Sequence, residues 1–455
     1  MLRFYQWCIA CCTMFMLTSC ASYRQQTEQY YQQLQKGNYP QAKQLLKSNK
    51  LLNTRRNQLL LLFEKGYLYH VANQPDSSNF YFNQADALIE EGYKKGINLA
   101  ISTLGNPMLA DYKAEDYERF MMHYYKALNY WQLGNIEAAL VEARRITLAN
   151  NSQKERYNNS NRYQQDAFAL NLQGILYEAS GDINNAFIAY RNAAEVYLAD
   201  KGIYFGTPLP RQLQQSALYT AAQMGFTSER QWLEKQLQVR YLELPKSKGG
   251  EAVIFIERGR APIKDQENYF FTLIKDGGAY FFMDNMHNLR IPIDVGFGVD
   301  LTNKSLSDIS LFRLALPKYF PQQSLMPVSN LTVNVGAATY TPEKAQDINQ
   351  LAPALLRQRL LAELSTSLTR LLVKKLAEQE LKKKDKTSGE ILEAFNFLME
   401  KADTRNWQSL PAEVDYVRIP LEAGTQTITI QYGGRQKQLA VTGVSGKVQL
   451  LHVRF

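Results

Sequence analysis

Within the stretch AFALNLQGILYEASGDINNAFIAYRNAAEVY (residues 167–197), Gly174, Tyr177, Gly181, Ala186, Tyr190 and Ala193 stand at offsets 0, 3, 7, 12, 16 and 19. The spacing predicts two antiparallel helices with Gly181-Asp182 as the turn. Small residues at Gly174 and Ala186 let the helices approach, and Tyr177 and Tyr190 are expected to fill the groove to the next hairpin. The frame recurs at 120–150 with Ala127, Tyr130, Gly134, Ala139, Ala143 and Ile146, where Ala143 replaces the large residue. It recurs more loosely at 59–91 with Gly66, Tyr69, Ser78, Phe82 and Ala85, without a turn glycine. Residues 25–50, around Gly37-Asn38-Tyr39, form a first pair, and 211–240, with Gly225 at a turn, a degenerate last one. A hairpin alone cannot bury its apolar face, so stacked hairpins form a superhelix with a concave side.

This pattern resembles the tetratricopeptide repeat (TPR), and the resemblance implies four to five hairpins over roughly 25–240. It also implies an adaptor that binds peptides or proteins in its concave face; support of the C-terminal half is the alternative. Two irregular segments interrupt the array, at 92–117 and in the polar NNSQKERYNNSNRYQQ at 150–165.

From about residue 250 the period changes. AVIFIE (252–257), NYFFTLIK (268–275), AYFFM (279–283), LRIPIDV (289–295) and NLTVNVGAATYT (330–341) read as strands between turn residues. A leucine pattern predicts a long helix over about 343–385, and a second helix is expected at 390–402. VDYVRIPL (414–421), TQTITIQY (425–432), KQLAVTG (437–443) and KVQLLHVRF (447–455) return to strands, the last facing the interior. The fold class is therefore α+β. An all-α TPR-like superhelix (25–245) precedes an α+β domain (246–455) with a mostly antiparallel sheet.

All four cysteines, Cys8, Cys11, Cys12 and Cys20, lie in the first 20 residues. Arg3, the apolar run WCIACCTMFML (7–17) and Leu17-Thr18-Ser19-Cys20 resemble a lipoprotein signal. Residues 1–19 would be removed, Cys20 acylated, and 20–24 left as a short tether. The apolar run is shorter than the roughly 20 residues a spanning helix needs. Ala21-Ser22 after the cysteine favours the outer membrane, with the chain facing the periplasm. No disulfide or cysteine metal site remains after such processing. The mature balance is 51 basic against 43 acidic residues, or +8, spread along the chain apart from LKKKDK at 381–386. No basic and aromatic interleaving points to nucleic acid.

His70, His123, His287 and His452 are scattered, with no metal spacing, and no nucleophile elbow, P-loop or dinucleotide fingerprint is present. No cofactor or metal is expected. Glu257 beside RGRAP and Asp403 in ADTRNW are the acids to inspect, each expected in a structural ion pair. In 402–411, Asp403 and Arg405 can pair, Trp407 can anchor, and Leu410-Pro411 turns the chain into a strand.

Ala402, Asp403, Arg405, Trp407, Leu410 and Pro411, followed by Pro420, Leu421 and Gly424, resemble an uncharacterised family of TPR-containing bacterial outer-membrane lipoproteins. The stretches at 106–145, 257–264 and 351–364 agree with it. The resemblance carries no activity. The expectation is a non-enzymatic scaffold, lipid-anchored in the outer membrane, that holds periplasmic or outer-membrane proteins of an envelope or secretion assembly. The alternatives are a peptidoglycan- or polysaccharide-acting enzyme using C-terminal carboxylates, and a structural lipoprotein that oligomerises through its repeats.

Overall fold

The computed structural model describes residues 23–94, 108, 110–156, 166–243, 247–293, 312–322, 325–384 and 401–455. The proposed signal, Cys20, most of the 150–165 loop and most of the expected 390–402 helix lie outside these residues. Residues 401–406 carry no helix.

Ten helices form five hairpins: α1 (Tyr23–Gln35) with α2 (Tyr39–Ser48), α3 (Gln58–Val71) with α4 (Pro75–Lys94), α5 (Asp116–Gln132) with α6 (Ile136–Arg156), α7 (Ala167–Ala179) with α8 (Ile183–Ala199), and α9 (Arg211–Gln223) with α10 (Thr227–Leu237). The array thus starts inside the stretch expected as a tether. Each hairpin turns on one residue in the left-handed region: Gly37, Asn73, Gly134, Gly181 and Gly225. Its N–H donates to the carbonyl three residues back, and the next N–H to the one five back, as in Asn73 to His70 and Gln74 to Tyr69. These bonds satisfy the carbonyls that a helix end leaves open. The second hairpin lacks a turn glycine because asparagine tolerates that backbone better than most residues.

The hairpins close by exchanging size between their helices. A Cβ on Gly174 would lie 2.4 Å from the Tyr190 ring, and one on Gly66 2.4 Å from Phe82. At the same places the third hairpin has Ala127 and Ala143, both buried. Tyr190 therefore packs within its own hairpin, not in the groove to a neighbour. Its flat ring needs the space that the missing side chain leaves. Tyr177 does reach the previous hairpin, where Arg144 Nε donates to its hydroxyl (3.4 Å). Asn83 Nδ2 does the same for Tyr130 (3.4 Å).

After a short ribbon, β1 (Ile203–Tyr204) with β2 (Thr207–Pro208), the described residues of the C-terminal half form three four-stranded sheets where one was expected. The strands are β3 (Glu251–Arg258), β4 (Ile263–Asp276), β5 (Ala279–Asp284), β6 (Leu289–Pro292), β7 (Phe312–Phe320), β8 (Leu331–Val335), β9 (Ala338–Tyr340), β10 (Glu343–Asp347), β11 (Glu413–Pro420), β12 (Gly424–Tyr432), β13 (Arg435–Gly443) and β14 (Val448–Arg454). The first sheet runs β10-β11-β3-β14, the second β13-β12-β8-β9, and the third β6-β5-β4-β7. All their pairings are antiparallel except β14 with β3. The terminal strand is an edge of the first sheet, half-buried along its length with Val453 buried.

Strand alternation assigns the layers. Val253 and Phe255 of β3, with Val414 and Tyr416 of β11, join the core of the helical array. Ala252, Ile254, Ile256, Val417 and Ile419 point the other way, onto Ile428, Ile430, Leu331 and Val333 of the second sheet. Burial on both faces explains the continuous apolar run of β3. The third sheet packs Phe271, Phe282, Phe312 and Leu314 on Leu364, Leu368 and Leu372, which share one face of α11 (Ile348–Lys384).

The long helix starts later than expected, because 343–347 form β10 on β11. The helix begins after Asp347, whose carboxylate accepts the Gln350 N–H (3.1 Å). The stretch 330–341 is a hairpin folded at Gly336, not one strand. β7 carries Pro317 and is an edge strand, where a missing N–H costs no ladder bond. Among the described residues no helix is long and apolar enough to cross a membrane.

Candidate functional site: the seam between repeats and sheet

The odd-numbered helices line the inside of the array, and each touches the C-terminal half. Tyr23 of α1 donates to the Asn406 carbonyl (3.3 Å). Phe63 of α3 stacks on Trp407 (4.5 Å, 17°). Glu118 of α5 accepts the Trp407 N–H (2.7 Å). Glu178 of α7 takes Arg418 in two bonds of 2.6 and 2.8 Å. Gln212 of α9 donates to the Tyr416 carbonyl (3.3 Å). The N-terminus of α9 is capped from the other half, since Glu343 accepts the N–H groups of Arg211 and Gln212 (2.9 Å each). The concave face expected to hold a foreign peptide is therefore occupied by the chain's own sheet and its 402–411 segment.

Most of the 402–411 segment is bonded or buried in this seam. Asp403 pairs with Arg405 (2.8 and 2.7 Å). Arg405 also donates to Asn57 Oδ1 (2.8 Å) and the Ala110 carbonyl (3.0 Å) in the array. Trp407 is fully buried, and its indole N–H donates to Ser409 Oγ (2.8 Å). The Leu410 carbonyl accepts the Ala261 N–H (2.7 Å), and Pro411 leads directly toward β11.

Acids in the seam are tuned in opposite directions. Burial pushes Glu64 up to about 7, against the bonds it accepts from Ser409, Tyr31 and Tyr30. Burial, with Glu115 nearby, also raises Glu118 to about 7. Glu115 is buried too, but Lys264 (2.7 Å) and Arg359 (2.8 Å) outweigh that and hold it at about 2. Glu257 accepts from Tyr125 (2.7 Å) and Tyr67 (3.1 Å). His452 Nε2 lies 3.1 Å from it, within ion-pair distance but not aligned as a hydrogen bond. His452 Nδ1 meets His70 Nε2 (3.3 Å), and His70 Nδ1 meets Asn129 Oδ1 (2.7 Å). Burial, with His452 beside it, lowers His70 to about 4. The two scattered histidines thus meet, 382 positions apart. No local signal could have paired them, and none marked Glu64, Glu118 or Arg418.

Glu257 and Asp403 sit in this seam with a tyrosine–histidine set and an arginine respectively. Asp86, His123 and Glu142 also converge, all buried, with ligand atoms within 4.8 Å of one another. Lys126 Nζ stands between the two acids, 2.8 Å from Asp86 and 3.0 Å from Glu142. Its ammonium supplies the positive charge the cluster needs.

The outer, even-numbered helices show a different regularity. Seven residues after each left-handed turn residue of hairpins two to five stand Phe80, Val141, Ile188 and Trp232. They are 60%, 44%, 39% and 44% exposed. The first hairpin has Gln44 there. Charge is also less evenly spread than expected. Residues 23–56 hold seven basic residues and one acid, which is six of the chain's net +9.

No family model matches the chain, and no curated protein does. Solved structures similar to it include a kinesin light chain TPR-like repeat protein of Podosopora anserina (14% identity, 49% of this chain and 96% of that one, TM-score 0.33). RapI in its apo form is similar over 46% of this chain and 67% of its own (14%, TM-score 0.33). A Rap protein complexed with Competence and Sporulation Factor covers 49% and 56% (16%, TM-score 0.30).

Proposed function

We propose that the protein is a non-enzymatic scaffold of the bacterial envelope, anchored by acylated Cys20 and facing the periplasm from the outer membrane, as its resemblance to TPR-containing lipoproteins implies. Its partners dock on the outside of the array. One observation carries this reading: large apolar side chains stand exposed at the same position of four successive outer helices. Scattered exposed apolar residues are ordinary. Repetition in register presents a line of evenly spaced anchors along the convex side, while the inner face is already filled. The seam acids support a structural role, because their partners are cations, tyrosines and backbone groups of the same chain.

The test is in-cell crosslinking of the anchored protein against a variant with Phe80→Ser, Val141→Ser and Ile188→Ser. These side chains are exposed, so the variant is expected to fold and remain anchored. Loss of a defined partner set in the variant supports the reading. An unchanged partner set, or none in either, contradicts it. Cys20→Ala, followed by membrane fractionation, tests the anchor separately.

A further inference from the structure

The structure assigns a second membrane contact to the first hairpin: the exposed cations Lys43, Lys47, Lys50 and Arg55 form a surface that binds anionic lipid headgroups. Lys43 and Lys47 are four residues apart on α2, beside the buried stripe of Ala42 and Leu46, so they stack on one outward face. Lys50 and Arg55 follow at the end of the hairpin and are exposed. That end is also where the chain enters the array. Asn49 Nδ2, just past α2, donates to the Gln26 carbonyl in the first turn of α1 (2.8 Å). Cys20 precedes the first residue of α1 by three positions.

The surface has no internal counter-charge. None of these four cations makes an ion pair among the described residues. The one acid of residues 23–56, Glu28, is held by Arg260 of the C-terminal half (3.2 Å). Burial works against the Lys43 charge only weakly; a hydrogen bond to Tyr69 holds its pKa above the ordinary lysine value. A cluster of cations without carboxylate partners beside an acylated terminus suits the negative potential of a lipid surface, and each contributes about 1 kcal/mol there. An acyl chain and a basic patch then act as two signals on one membrane. The patch would fix which side of the array faces the bilayer. Its physiological setting rests on the proposed anchor, but its chemistry does not.

The experiment uses the chain from Ala21 to Phe455, which retains every described residue and lacks both signal and acyl group. It is sedimented with vesicles of phosphatidylcholine alone and of phosphatidylcholine with phosphatidylglycerol. Binding is expected only to the anionic vesicles. Lys47→Gln, Lys50→Gln and Arg55→Gln together should lower it about 100-fold, following the contribution per cation. A control of equal charge loss, Lys235→Gln, Arg435→Gln and Lys437→Gln, should leave it within a few-fold, and melting curves check that both variants fold. Equal binding to both vesicle types, equal loss in both variants, or no binding by the unaltered chain would each overturn the inference. Because no acyl group is present, failure here is distinct from failure of the Cys20 anchor.

Discussion

Gly174 and Tyr190 show how much a single position can decide. The glycine exists because a tyrosine ring from the partner helix lies where its side chain would be. Gly174→Ala should therefore destabilise the protein by about 1–3 kcal/mol through overpacking. In a denaturant titration, Tyr190→Ala should cost less in the Gly174→Ala background than in the unaltered chain, since alanines at both places reproduce the third hairpin. Glu64 sets a second expectation, about pH. Its folded value of about 7 exceeds the ordinary carboxylate value of 4.5, so the folded protein binds the extra proton between those pH values. Stability from this group is present at low pH and is lost as pH rises toward 7, with Glu118 acting in the same sense. Glu64→Gln keeps an uncharged acceptor and should flatten part of that decline between pH 5 and 8 in equilibrium melts, by a few kcal/mol at most. His70 acts oppositely. It is neutral in the fold down to about pH 4, so the stability it contributes is lost as pH falls from 6.5 through 4.

Among elements, the 402–411 segment does most to join the halves. Trp407 is fully buried against Phe63, Phe82, Tyr67 and Tyr125, all from the array. Trp407→Ala should cost about 3–5 kcal/mol. The loss should register in helix and strand signals together. The hairpins were legible in sequence because their spacing is local: small residue, turn, small residue, aromatic. Strands such as β3, β12 and β13 were legible from composition and turns. β7 was not, because Pro317 argues against a strand unless its edge position is known. β10 was not, because its residues run without a break into a helical pattern, and only pairing with β11 some 70 residues later separates them. The number of sheets was hidden for the same reason, since alternation identifies a strand's two faces but not what covers each.

At the scale of the whole molecule, a repeat array is ordinarily a one-dimensional stack whose hairpins touch only their neighbours. Here every inner helix has a second partner in the β half. Glu178 with Arg418, Tyr67 and Tyr125 with Glu257, and Glu343 at the start of α9 are contacts across the seam. None was legible, because each partner lies more than a hundred residues away and a lone acid or arginine carries no hint of its mate. The consequence is cooperative. The array and the first sheet should open as one unit, and the inner face should not be available to a partner without global unfolding. Hydrogen–deuterium exchange followed by mass spectrometry tests this most directly, comparing the unaltered protein with Trp407→Ala. The account predicts that amides of α3, α5 and α7 exchange as slowly as those of β3, and that all four accelerate together in the variant. Fast exchange of the inner helices beside a protected β3, or acceleration confined to residues near 407, would show two independent halves and contradict it.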